Sequence, residues 1–140
     1  MPGLTAPRVK TRRLGSDELL DFPVKANAVI YQGAMVALQT GYLVPATAAT
    51  GLLVLGRAED SYDNTGGIDG ALTGLILNNF IFNWDNNTST DALTQADVGL
   101  DCYAVDDHTV GKSSSGRSKA GKVVKIEGNQ VWVAQGLEYL

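Results

Sequence analysis

Residues 26–56, ANAVIYQGAMVALQTGYLVPATAATGLLVLG, run for thirty-one positions between Lys25 and Arg57 without one Asp, Glu, Lys, Arg or His. Something must cover a stretch that bare: a bilayer, the protein's own core, or another protein. A membrane helix needs about 20 mostly apolar residues in a row. Here Gln32, Gly33, Gln39, Thr40, Gly41, Pro45 and the Thr/Ala/Gly cluster at 47–51 cut the stretch into apolar pieces of four to six residues. Pieces of that length are strands, so no membrane span is expected. A chain of 140 residues has the length of one domain and can bury roughly two thirds of its unfolded surface.

The rest of the chain reads the same way. Helical periodicity is nearly absent, while short apolar runs recur between Gly, Asn and Asp turns. LLDFPV (19–24) reads as a first strand, with Pro23 confining it to an edge or a strand end. AVIYQGAMVAL (28–38) reads as two short strands bent at Gly33, and the Gln39-Thr40-Gly41 turn leads into YLVPA. LLVLGRAED runs from apolar into charged, as a strand does on leaving a core, and DNTGGIDG (63–70) is an exposed loop. In GALTGLILNNFIFNW (70–84) the alternation slips at Asn78-Asn79, which splits it into two strand segments. TQADVG (94–99) is a single helical or 3₁₀ turn, and LDCYAVDDHTV a strand followed by an acidic turn. KVVKIEGNQVWVAQ (122–135) is the clearest hairpin, turning at Gly128-Asn129. Eight to ten short strands with glycine-rich turns predict an all-β fold, a small sandwich or barrel over residues 19–140, preceded by an extended arm over 1–18. GAMVALQTGYLVPA and GLDCYAVDDHTVGKS each place a short strand, a polar turn and a second strand, a likeness too slight to establish a duplication.

Charge divides the chain at its start. Arg8, Lys10, Arg12 and Arg13 give the first thirteen residues +4 with no acid, so the remainder carries −8 within a net charge of −4. Such an arm is either a solvated tail or a tether for an acidic partner surface. Nucleic acid is disfavoured, because the acidic body repels it and no aromatic residue lies among the basic ones. The opening MPGLTAPRVKTRRLGSDELL has no apolar run behind its basic residues, so no secretory signal is expected.

Catalytic signatures are sparse. The one histidine, His108, sits in DDHTV beside acids, yet neighbours on a turn point in different directions, and a surface turn histidine is expected. Zinc needs three or four His or Cys ligands, and this chain has two such residues. Two loops alternate oxygen donors that calcium could use: Asp85, Asn87, Ser89 and Asp91, and Asp60, Asp63, Asn64 and Asp69. Neither has EF-hand spacing, and Asn, Asp and Gly are ordinary turn residues. Asp106-Asp107 are not carboxylates facing each other from separate elements, and TGG at 65–67 lacks the tail of a phosphate loop. Cys102, the lone cysteine, is expected as a small buried side chain. Neither catalytic residues nor a metal nor a cofactor is expected. Phe80, Phe82 and Trp84 are expected in the core or in contacts between subunits, and Trp132 in the core, where its removal would cost about 3–5 kcal/mol.

The order VKANAVIYQGAMVAL, GYLVPA, GLLVLGRAED, then FIFNW, then TQADVGLDCYAVDDHTVG, then RSKAGKVVKIEGNQVWV resembles the small capsid decoration, or cement, proteins of tailed bacteriophages. The resemblance covers roughly residues 20–135. It implies a compact β protein without enzymatic activity, made in the host cytoplasm and carried on the outside of the virion. Its partners would be the major capsid protein and its own copies, commonly as trimers at threefold or quasi-threefold positions, bracing the shell against internal DNA pressure. Arg8, Lys10, Arg12 and Arg13 are the capsid-contact candidates on charge alone. The alternative is a structural or carbohydrate-binding β module of a phage tail or fibre.

Overall fold

Local turn chemistry fixes the hairpins of the computed structural model, which describes residues 18–139. Thr40 and Gly41 both have positive φ (51° and 89°), the mirror-image turn whose twist suits the strands it joins. That turn connects β3 (Met35–Gln39) to β4 (Tyr42–Pro45). Gly128, with φ 60° in the first central position, joins β11 (Lys119–Glu127) to β12 (Gln130–Gln135), the hairpin expected from KVVKIEGNQVWVAQ. The other strands are β1 (Leu19–Pro23), β2 (Val29–Ile30), β5 (Leu53–Ala58), β6 (Tyr62–Asp63), β7 (Thr73–Asn78), β8 (Phe80–Asn86), β9 (Asp101–Ala104) and β10 (Thr109–Gly111). Three single 3₁₀ turns complete the described residues, one of them at Gln95–Asp97 within TQADVG. The fold is all-β, and among the described residues no helix is long and apolar enough to cross a membrane.

Two five-stranded units share one topology. In the second, β8, β12, β11, β9 and β10 form a closed barrel in that order, all neighbours antiparallel except the closing pair β10–β8, which is parallel. In the first, β1, β7, β5, β3 and β4 follow the same order with the same antiparallel pairings. It curls until Val24 bridges Leu43 in parallel and the Lys25 N–H donates to the Leu43 carbonyl at 3.0 Å, the counterpart of the β10–β8 closure. The irregularities repeat as well. Leu55 is skipped between the β3 partners of Val54 and Gly56, and Ala120 between the β9 partners of Lys119 and Gly121. Aligned on these bulges, Gly56 matches Gly121, Leu20 and Phe22 match Phe82 and Trp84, Ile76 matches Val133, and Asn78 matches Gln135. The described part of the β domain is thus a tandem pair of five-stranded units of like topology, a curled sheet followed by a closed barrel. The slight likeness of GAMVALQTGYLVPA and GLDCYAVDDHTVGKS is the trace of it at β3–β4 and β9–β10.

The joint between the units is one residue. Asn79 has φ 63°, a left-handed angle that asparagine tolerates, and it turns the chain from β7 in the first unit to β8 in the second. The slip in register seen at Asn78-Asn79 is this change of sheet.

What covers the uncharged stretch is now defined. Val36, Leu43 and Leu55 fill the core of the first unit, together with Val24, Ile30 and Ile76. Met35, Ala37, Ala46 and Val54 face the other way and join the core of the second unit, built on Phe82, Trp84, Cys102, Val110, Val123, Val131 and Val133. Strands buried on both faces read as continuous apolar runs rather than alternating ones. The cover is the first unit's own core on one face and the neighbouring barrel of the same chain on the other.

Candidate functional surfaces

Of the three β8 aromatics, two are core. Phe82 and Trp84 are each 5% exposed, with ring centroids 6.2 Å apart inside the second barrel. Phe80 shares their parity but is the first residue of β8, paired with Gln135 at the end of the barrel next to Asn79. It is 43% exposed and meets Phe82 edge-on at 6.3 Å, so it is no core residue. A buried indole needs a partner for its N–H. Trp84 Nε1 donates to Gln135 Oε1 at 2.6 Å, and Gln135 Nε2 donates to the Ala120 carbonyl at 3.0 Å, at the bulge. Gln135 is fully buried, and sequence reading missed its role because QVWVAQ places it at the end of a strand, where a glutamine usually meets water.

Trp132 corrects the sequence reading. It lies between Val131 and Val133, both fully buried, so alternation turns its indole to the outside of the barrel, where it is half-buried. The inside already holds Phe82 and Trp84. Its Nε1 donates to Glu127 Oε1 at 3.1 Å, which holds the Glu127 carboxyl below its ordinary range. Beside it, paired across β8 and β12, stands Asn83. These two, with Ile81, Phe82, Trp84, Arg57 and Gly33, line an open groove of about 410 Å³. The first unit supplies Gly33 and Arg57, the barrel the rest. Arg57 lies 5.6 Å over the Phe82 ring and donates to Glu59 Oε1 at 3.3 Å.

His108 lies on the turn between β9 and β10 with its side chain largely exposed. Its Nδ1 is 3.0 Å from Asp85 Oδ2 and its Nε2 3.5 Å from Asp106 Oδ1. The hydrogen bond to Asp85, aided by the charges of Asp106, Asp107 and Asp85, raises the imidazole above its ordinary value. Asp85 is lowered in turn, first by Gln130 and then by His108. A nucleophile–base–acid relay needs its two partners on opposite ring nitrogens. Here Asp85 and the Thr109 hydroxyl (3.1 Å) both address Nδ1, while Nε2 meets a second carboxylate, so the constellation does not form a triad. Asp106, Asp107 and His108 do bring one ligand atom each within 4.8 Å of one another.

The two oxygen-rich loops do not converge. Asp91 is tied down by the Ser113 N–H, Asn87 Nδ2 and the Arg117 guanidinium, the last at 2.7 Å; burial pushes its carboxyl up, but these bonds together hold it below the ordinary range. Asp85 is engaged with His108 and Gln130 instead. In the other loop Asp60 accepts from Ser61 N–H, Asp63 from Thr65, and Asp69 from Ala26 N–H. Asn64 is buried, and its amide nitrogen donates to the carbonyls of Val24, Lys25 and Ile68. With Gly66 N–H on Asn27 Oδ1 and Gly70 N–H on the Val24 carbonyl, this pins the loop 64–70 to the first unit. At its tip stands Ile68, 77% exposed. An isoleucine in DNTGGIDG is the only sequence hint of that presentation. Cys102 is fully buried, as expected, and burial pushes its thiol up to about 12.

Arg8, Lys10, Arg12 and Arg13 lie outside the described residues. Comparison with known proteins finds no matching family, no matching characterised protein and no matching solved structure.

Proposed function

We propose that this protein is a capsid decoration protein of a tailed bacteriophage. It binds the outer surface of the assembled major capsid shell, as a trimer at threefold or quasi-threefold positions, and braces the head against the pressure of packaged DNA. The observation that carries this reading is the presentation of large apolar side chains on rigid supports. Ile68 stands at the tip of a loop fastened by buried Asn64, and Phe80 and Ile81 stand on the strand that enters the second barrel. Such side chains are the anchors that fill pockets at the centre of a protein interface. The resemblance of residues 20–135 to cement proteins supports the same assignment, and the basic residues at 8–13 provide charge for an acidic shell. Many copies on a symmetric lattice turn modest contacts into strong attachment.

The experiment is to mix the purified protein with undecorated, expanded capsids and image the particles. Density at threefold or quasi-threefold positions is expected, with weaker binding and a flatter salt dependence after deletion of residues 1–13. Bare capsids at micromolar protein overturn the proposal. A second reading, a structural or carbohydrate-binding module of a tail or fibre, is favoured by the half-exposed Trp132 in its groove.

A further inference from the structure

The groove between the two units has a composition that the repeat itself makes conspicuous. Core positions of the units match like with like: Leu20 with Phe82, Phe22 with Trp84, Ile76 with Val133. At the outer positions, Ile81, Asn83 and Trp132 stand where the first unit has Leu19, Asp21 and Leu75. An aliphatic side chain and an acid have been exchanged there for an indole and a neutral amide. The same strand positions in the two units therefore offer different chemistry, and those of the second unit line one groove with Arg57 and Gly33.

From this arrangement the geometry points to a saccharide-binding site at Trp132, Asn83 and Arg57, taking a neutral pyranose unit of an oligosaccharide. A pyranose has an apolar C–H face and a rim of hydroxyls that both donate and accept. The indole supplies a rigid apolar surface, and its N–H is already occupied by Glu127, so contact through the ring face breaks no bond. The Asn83 amide offers a donor and an acceptor side by side, the pattern that two neighbouring hydroxyls need, and it has no partner among the described residues. Arg57 is held in place by the Phe82 ring and Glu59, with guanidinium N–H groups left over for a ring hydroxyl. An anionic ligand is disfavoured, because this cation is already paired and the chain carries net −4. The volume of about 410 Å³ lies in the range of small-molecule sites, and a junction between folded units is a common place for one. This inference deepens the second reading above and does not depend on attachment to a capsid.

The chain has two tryptophans, so an amide correlation spectrum of the ¹⁵N-labelled protein shows two indole N–H signals. Titration with maltotriose, cellotriose and chitotriose should shift the Trp132 indole and the Asn83 side-chain amide saturably with at least one sugar, with Kd on the order of 1 mM. The Trp84 ring borders the groove, but its N–H is bonded to Gln135 inside the barrel, so that signal should shift less than the Trp132 indole. Asn83→Ala, an exposed change that leaves the core signals unmoved, should weaken binding roughly three- to tenfold, as loss of one or two neutral hydrogen bonds would. No saturable shift with any of the three sugars at concentrations on the order of 10 mM overturns the site. So does a shift that Asn83→Ala leaves unchanged. Capsid attachment is read on separate particles, so either proposal can fail alone.

Discussion

Replacing Gln135 by leucine tests whether the polar link inside the second barrel is a stabilising element or a passive one. Gln135 is fully buried, accepts from Trp84 Nε1 at 2.6 Å and donates to the Ala120 carbonyl at 3.0 Å. Leucine has nearly the same volume but can do neither. The indole N–H and the carbonyl at the bulge would then be stranded, each at a cost of about 1–3 kcal/mol. The added apolar burial returns about 1 kcal/mol. The net loss is about 1–5 kcal/mol. At roughly 3–4 °C per kcal/mol for a chain of this length, Tm should fall by about 3–20 °C. Urea unfolding followed by tryptophan fluorescence gives the equilibrium value. A double-mutant cycle with Trp84→Phe separates the hydrogen bond from packing and should return a coupling of about 1–2 kcal/mol. A Gln135→Leu protein within about 0.5 kcal/mol of wild type, or a coupling of zero, would refute the reasoning.

Gly121→Ala should destabilise by about 1–3 kcal/mol in thermal melts, since the new Cβ would be forced against the Ala134 carbonyl and the Val133 side chain; Gly56→Ala meets the Leu77 carbonyl and should behave alike. Trp132→Ala should cost about 1–2 kcal/mol in urea titration, less than a buried tryptophan, because the indole lies half-exposed on the barrel's outer face. The raised titration of His108 means that its ion pairs contribute fully below its ordinary value and fade as pH climbs through the folded-state value. Between about pH 5.5 and pH 8.5 the wild type should therefore lose ~0.2–1 kcal/mol that His108→Gln does not, a small difference because the ring is largely in water. Asp85, lowered in the fold, stays ionised across that window and does not confound the comparison.

Backbone-level features were legible in the residues because they rest on local chemistry. Thr40-Gly41 and Gly128-Asn129 mark their turns by tolerance of left-handed angles, Pro23 ends an edge strand, and Asn79 marks the change of sheet. The candidate surfaces were legible only in part. Phe82 and Trp84, expected in the core or in contacts between subunits, lie in the core, whereas Trp132, expected in the core, does not, because period-2 alternation says that neighbours face opposite ways without saying which set faces in. In QVWVA the larger residue suggested the inside, whereas Val131 and Val133 are the size that fits beside Phe82 and Trp84.

Sequence by itself therefore determined the fold class, the turns and the absence of charge over residues 26–56. Tertiary structure alone decided that this stretch is sealed on one face by its own unit's core and on the other by the barrel of the same chain. It also decided that Gln135 is a buried polar link and that Ile68 and Trp132 look outward. The physical reason is that turn propensity acts within a few residues. Burial is settled between strands far apart in the chain, where side-chain volume and unpaired carbonyls must be matched at once.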